Sequence, residues 1–260
     1  MPDTKISAAT AVVTPASTDE YATNQGNASK RTNLGQIKTF VNTAPVFAAG
    51  TASPGTWPLL TAGTLLTTAE DGAIEMDANC IYGCTDAGNR GVVPVVHIIR
   101  SDATRTFTSD TNQQAIWNAP TNGTLTLETG TYVFDGLIAM TSMSGTSGNG
   151  KFSIIGAGTA TLGSILWQAW GNDVAAEGTA GATGGGWHVI ATQTAANVVT
   201  AGTATALSFA VLGSFEVTSG GTIIPSFAQT TAAAAVVSIG SFFRVWRIGS
   251  TSVTNVGQWT

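Results

Sequence analysis

Of 260 residues, 10 are Lys or Arg and 15 are Asp or Glu, so the chain carries a formal charge of −5. Charged residues make up 10% of it, against about 25% in ordinary soluble domains. The acidic balance and the lack of a basic stripe exclude a nucleic-acid binder. No window approaches the roughly 18 uninterrupted apolar residues of a transmembrane helix, and MPDTKISAATAVVTP lacks the apolar centre of a secretory signal. Residues 101–260 hold only seven acids and four bases. Charge this sparse solvates a monomer poorly. The expectation is a surface coated with Thr, Ser and Gly and partly buried against copies of the same chain, as in obligate oligomers.

Residues 1–42 are polar and Ala-rich. Ile6, Val12, Val13, Tyr21, Leu34, Ile37 and Phe40 are too sparse to build a core alone, and a segment of this kind orders itself by lying on a partner. Asn33 can cap one short helix reaching Val41, with Leu34, Ile37 and Val41 at i, i+3 and i+7. Residues 43–61 contain Pro45, Pro54, Gly55 and Pro58 and read as an extended connector. Ile74, Met76, Ile81 and Tyr82 predict short strands, with turns at Asp71-Gly72 and at Asp86-Ala87-Gly88-Asn89. Hairpins this small are marginal alone, and copies wound together would bury one another.

From His97 onward strand follows strand. Strands are expected near residues 95–100, 104–108, 114–117, 123–127, 131–143, 151–155, 161–170, 187–191, 197–199, 205–218, 221–228 and 236–248. Gly130, Gly136, Gly156, Gly158 and Gly163 argue against helix, at roughly 1 kcal/mol each in a helix interior. Residues 131–143 and 151–156, separated by Ser-Gly-Thr-Ser-Gly-Asn-Gly, read as antiparallel strands joined by a loop. Residues 216–224 read as a second hairpin, reversing at Ser219-Gly220-Gly221. In the last strand Phe243, Val245 and Ile248 are expected on one face, with Arg244 and Trp246 on the other. The whole pattern specifies an all-β fold. Its C-terminal head is an antiparallel jelly roll or β-sandwich, preceded by a short β-hairpin neck and an extended N-terminal segment with at most one short helix.

Chemistry is sparse. Cys80 and Cys84 form C-x3-C, with only His97 and His188 to complete a metal site, so two reduced thiols on one strand face are expected rather than zinc. His97 has no nucleophile at readable spacing and reads as a core or interface histidine. Asp71, Glu75 and Asp77 lack calcium-loop spacing and read as a solvated turn. Glu128 and Asp135 are two acids in a strand-rich chain rather than a glycosidase pair. The Gly-rich stretches 144–150 and 184–186 do not match a phosphate loop. No catalytic residue, cofactor or metal is assigned, and the chain is not expected to be an enzyme. Trp187 and His188, after the Gly-rich stretch 173–186, form the better ligand contact, because an indole stacks on sugars.

Three stretches resemble tailed-phage fibre and appendage proteins. The N-terminal segment is similar to their attachment segment at Ile6, Ser7, Thr14, Pro15, Asp19, Gln25, Gly26, Lys30, Arg31, Thr32 and Ile37. Gly63, Leu65, Thr67, Thr68, Glu70, Gly72, Ala73, Ile74, Glu75 and Asp77 resemble their shaft-to-head module, with Ala69 where Pro is usual and Met76 where Phe is usual. Leu125, Leu127, Thr131, Tyr132, Phe134, Phe152, the GTAT run from Gly158 and the GSFFRVWRIGS run from Gly240 resemble a trimeric jelly-roll head, loosely like the C1q and tumour-necrosis-factor heads.

The resemblance implies a homotrimeric structural virion protein, assembled in the host cytoplasm. Residues 1–43 would be the attachment segment, docking on other virion structural proteins through residues 1–42, with Ile6, Val12, Val13, Tyr21, Leu34, Ile37 and Phe40 as contacts. Residues 44–95 would form connector and neck, and residues 96–260 the head. Tip loops around 142–150 and 173–186 would touch a host-surface glycan or protein, with Trp187, His188, Ser147 and Asn149 as host-contact residues. A capsid head-fibre or decoration protein with a mainly structural role is the alternative. Nucleic-acid binding and membrane insertion are not expected.

Overall fold

A computed structural model describes residues 20–25, 28–33, 62–86, 89–118, 123–144, 150–174, 186–190, 196–197, 205–253 and 255–256. The chain divides into two compact units, Met1–Leu59 and Leu60–Thr260. In the first, β1 (Glu20–Gln25) and β2 (Ala28–Asn33) pair antiparallel, closing with Gln25 opposite Ala28. This hairpin departs from the expected extended segment. Gly26-Asn27 is a residue pair that two-residue hairpin loops favour. Asn33 ends β2, and the short helix expected after it, residues 34–41, lies outside the described residues.

The second unit opens with a three-stranded antiparallel meander of β3 (Ile74–Met76), β4 (Ile81–Asp86) and β5 (Asn89–Val93). Gly72, at φ +79°, takes the left-handed turn before β3. Asp77 makes the reversal between β3 and β4. Its Oδ1 accepts the backbone N–H groups of Asn79 (2.6 Å) and Cys80 (2.7 Å), and its Oδ2 accepts the Tyr82 hydroxyl at 3.1 Å. Asp77 is therefore a turn-forming side chain rather than a solvated one.

The head follows as β6 (His97–Arg100), β7 (Arg105–Thr106), β8 (Gln114–Ala115), β9 (Leu125–Leu127), β10 (Gly130–Thr141), β11 (Gly150–Ser153), β12 (Thr161–Val174), β13 (Gly186–Ile190), β14 (Ala196–Asn197), β15 (Ala206–Ser219), β16 (Gly221–Ile223), β17 (Ser226–Gln229), β18 (Val236–Val237) and β19 (Phe242–Gly249). No helix occurs among the described residues. Four pairs lie end to end as single strands with a break. β18 and β19 both pair with β10, β6 pairs with β19 while β7 pairs with β18, and β16 and β17 flank Pro225, pairing with β9 and β8. Joining those pieces, the large sheet runs β13-β12-β15-β10-β18/19-β6/7 and the small sheet β14-β11-β16/17-β8/9. With the β12–β13 hairpin set aside, the strands in chain order lie 1-8-3-6 opposite 2-7-4-5. That is the order of a two-sheet jelly roll, in which consecutive strands cross between sheets except the fourth and fifth, which pair.

This crossing overturns two expected hairpins. Residues 131–143 and 151–156 do not pair, because β10 lies in the large sheet and β11 in the small one. β15 and β16 do not pair either: β16 joins β9, and Gly220 marks the crossing rather than a reversal. Both errors have one cause. A Gly-rich stop between apolar runs looks the same whether the chain folds back beside itself or passes over the core.

The core between the sheets is aromatic. Phe134, Trp167, Phe209, Phe215 and Phe243 descend from the large sheet, and Phe152 and Phe227 rise from the small one, all at most 3% exposed. Phe152 is the knot. Its ring lies edge-on to Trp167 (5.5 Å) and Phe209 (5.8 Å) and tilted to Phe243 at 6.4 Å. Phe209 stacks on Phe227 at 5.9 Å, and Phe134 touches both Phe215 and Phe243. Burial along β10 alternates from Gly130 to Thr141, as a strand with one face on a core requires.

Phe152→Ala is expected to cost about 3–5 kcal/mol through the lost transfer energy and the cavity, read as a lowered denaturant midpoint; a loss under about 1 kcal/mol would mean the sheets close without it. A second expectation concerns pH. Burial opposes ionisation of Asp77, but the Cys80 and Asn79 N–H groups and the Tyr82 hydroxyl outweigh it and hold the carboxyl below its usual value. A lowered folded pKa means that its contribution is complete above the ordinary aspartate range and is lost as pH falls through the folded value. The melting-temperature gap between the wild type and Asp77→Asn is therefore expected to be widest near neutrality and to shrink below roughly pH 4. A gap that ignores pH would contradict the assignment.

Candidate functional site

β10 spans the head from end to end, and the two ends differ. At its start, Arg247 of β19 joins the meander to the head. The guanidinium donates to Asn79 Oδ1 (2.8 Å), to the Ala78 carbonyl (3.5 Å), to the Gly249 carbonyl (3.2 Å) and to the Thr129 carbonyl. Cys80 Sγ lies 3.9 Å from the Arg247 carbonyl. Gly130, the first residue of β10, sits at φ +156°, where an added Cβ would collide with that guanidinium. Arg247 lies opposite Tyr132 in regular register, and strand alternation puts Ile248 on the other face, with Arg244 and Trp246. Ile248 therefore lines an open depression with Trp246, Val92 and Pro94 instead of joining Phe243 and Val245 in the core.

The other end of β10 is where segments 145–149, 175–185 and 198–204 depart. Met140 pairs with Leu207, Val174 with Ala206, Gly171 with Gly186, and Lys151 with Asn197. The Met143 N–H donates to the Thr205 carbonyl at 2.9 Å. Ser142, at φ +54°, turns the chain out of β10 there. The flanking residues of all three segments thus gather beside the start of β15, at the far end from the meander.

Between the two ends lies the outward face of the large sheet. The register sets Gln168, Leu212, Asp135, Arg244 and Ile98 side by side on β12, β15, β10, β19 and β6. One neighbouring row is Trp170, Ala210, Leu137, Phe242 and Arg100, and the other is Leu166, Ser214, Val133 and Trp246. Leu137, Leu166, Trp170, Leu212 and Ile98 are 45–63% exposed. Asp135 and Arg244 form a two-pronged ion pair, with Arg244 Nη2 2.8 Å from Asp135 Oδ2. Arg244 also lies over the Phe242 ring, 6.0 Å from its centre. Gly213 and Ser214 leave an open depression of about 690 Å³ bordered by Leu166, Leu212 and Trp246.

The residues singled out from the sequence are scattered over this frame. Trp187 and His188 are on β13, paired with Trp170 and Ala169 at the edge of the large sheet. Ser147 and Asn149 lie outside the described residues, as do Ile6, Val12, Val13, Leu34, Ile37 and Phe40; Tyr21 is on β1 opposite Thr32. His97 is exposed on β6 rather than in the core, and with Ile99, Leu125, Ile223 and Phe243 it borders a 410 Å³ opening between the sheets. Cys80 and Cys84 are both buried and form no disulfide, and burial pushes the Cys80 thiol up.

Glu75, Asp77 and Asp135 have structural partners. Glu75 holds Arg90 and accepts the Leu66 N–H at 2.7 Å, and both bonds keep its carboxyl below the usual range. Asp135 faces Arg244 on the outward side, whereas Glu128 precedes β10, its carbonyl accepting the Tyr132 hydroxyl at 2.8 Å. Among the described residues no three His, Cys, Asp or Glu side chains gather as a metal site. The outward face itself was not anticipated. Its signal was present: in residues 161–174 and 206–219 apolar side chains occupy both parities, as in strands covered on both sides.

No protein-family model matches the sequence, and no curated protein matches it. Among solved structures the chain is similar to one titled as the infectious bursal disease virus Gt strain, at 11% identity over 72% of this chain and 50% of that one, with a TM-score of 0.15. It is also similar to the VP2 subviral particle of infectious bursal disease virus (11% identity, 72% and 48% covered, TM-score 0.16) and to the Gx strain (12%, 72% and 49%, TM-score 0.17). This chain spans about half the length of those proteins. TM-scores of 0.15–0.17 carry no argument about fold or function.

Proposed function

We propose that the chain is a non-enzymatic virion appendage of a tailed phage. Residues 1–42 dock it on other virion proteins, residues 44–95 carry the connector and neck, and homotrimeric jelly-roll heads present their tips to a host-surface glycan or protein. One observation carries this reading: the neck meander and the residues flanking segments 145–149, 175–185 and 198–204 lie at opposite ends of β10, a strand of 12 residues, roughly 40 Å at the usual rise. Such a head holds its base and its contact loops apart, as an appendage must. Three tips together convert weak single contacts into avidity. The likeness of residues 63–77 to a shaft-to-head module supports the same reading, as do the structural partners found for Glu75, Asp77 and Asp135.

The test is binding of fluorescently labelled full-length protein to intact cells of candidate host strains. Trp187→Ala with His188→Ala at the tip end of β13 is expected to weaken binding by at least about tenfold, as removal of an aromatic anchor does, with solution mass unchanged. Undiminished binding by the double variant would remove those two residues from the contact, and hydrolysis of surface polysaccharide by the purified chain would overturn the non-enzymatic reading.

A further inference from the structure

We infer that the outward face of the large sheet is covered by further copies of this chain. This rests on the proposed self-association and assigns it a surface. Three observations favour a copy over other occupants. The first is apolarity: Leu166 at 57%, Trp170 at 53%, Leu212 at 50% and Leu137 at 45% exposure stand on three adjacent strands. A run of this kind on a regular sheet marks an interaction surface.

The second is charge. The chain is acidic overall, at −5, so copies repel unless they meet where charge cancels. On this face Asp135 and Arg244 neutralise each other, and Arg244 is further held by the Phe242 ring. The other charged side chain on these rows is Arg100, at the β6 margin. A nucleic acid, an acidic peptide or an anionic membrane would find no cationic field here, whereas a second neutral apolar face fits. Leu166, Leu212 and Trp246 stand beside the depression over Gly213 and Ser214, so the face supplies both ridges and a hollow for a partner's ridge.

The third is size. Four strands, β12, β15, β10 and β19, over the 12 residues of β10 frame roughly 750 Å² at the usual strand spacing and rise. Each partner in a standard interface contributes about 800 Å².

Light scattering and sedimentation of the full chain test this at micromolar concentration. The expected mass is three times 26.4 kDa. Leu212→Glu is expected to reduce it to the single-chain mass with the far-UV spectrum retained, whereas Thr126→Glu, which places the same charge on exposed β9 of the other sheet, leaves it intact. A wild type that is a monomer overturns both the self-association and this surface. A wild-type oligomer that survives Leu212→Glu overturns the surface and leaves the self-association standing, and a dimer broken by Leu212→Glu supports the surface while removing the threefold arrangement. Should Leu212→Glu misfold, hydroxyl-radical footprinting of the wild type decides. Trp170 and Trp246 are expected to oxidise several-fold more slowly in the oligomer than after dilution to monomer, and equal rates overturn the assignment.

Discussion

The edge-on contact of Phe152 with Trp167 and Phe209 is what the rest of the head depends on. It is the place where one sheet knows about the other. Neither sheet has a reason to form alone, since a lone sheet leaves its apolar face in water. Each ring hides a large apolar area, and the area is hidden only when both layers are present. This constraint explains the winding. A strand placed beside its sequence neighbour would put both apolar faces on one side of the core; crossing to the other sheet after β10, and again after β15, supplies the opposing faces. Contacts such as those between β10 and β19, more than a hundred residues apart in sequence, make folding depend on non-local pairing.

Once the two layers are closed, the breaks in the strands acquire a purpose. β18 and β19 are separated at residues 238–241, and β6 and β7 beside them at residues 101–104. There the Ser101 N–H donates to the Ser241 carbonyl, the Gly240 N–H to the Ser101 carbonyl, and the Ala139 N–H to the Ser241 hydroxyl. The ladder is interrupted but its groups stay paired, as buried backbone requires. At the opposite end of β19, just before the register shift, Arg247 reaches the meander at Asn79. The same strand therefore carries a joint at one end and an irregular patch at the other. That asymmetry makes the two ends of the jelly roll unlike.

Much of the fold was legible because strands announce themselves locally. The alternation in residues 131–141 and the aromatic, β-branched run in 242–248 identify β10 and β19, and the Asp-Gly and Asn punctuation places the meander strands. What was not legible depends on partners. Whether Ser-Gly-Gly at 219–221 reverses the chain or carries it across the core is decided by Leu127, which β16 meets at Gly221. Ile248 was misplaced for a simpler reason: it lies three residues from Val245, so strand alternation sets it with Arg244 and Trp246 rather than with Phe243. The role of Asp77 lay in its own turn and was readable in principle from Asp-x-Asn-Cys, yet an acid near other acids suggested solvent. The N-terminal hairpin was missed for a different reason: its strands, EYATNQ and ASKRTN, have little apolar content to separate them from an extended tail.

The parity of β12 and β15 argues further. In a two-layer sandwich, residues pointing away from the core face water, and polar side chains are the usual choice. β19 partly follows this rule with Arg244, and β10 with Asp135, but those two satisfy each other rather than the solvent. On β12 and β15 the outward positions are Leu166, Gln168, Trp170, Ala210, Leu212 and Ser214. A chain that spends only 10% of its residues on charge has few ways to keep such a face in water. The inward parity is accounted for by the small sheet, since Trp167, Phe209 and Phe215 are each no more than 2% exposed. At the outward parity Leu166, Trp170 and Leu212 stay 50–57% exposed. Both parities of one strand obey the same physics, and the outward half is the one that the proposed self-association would cover.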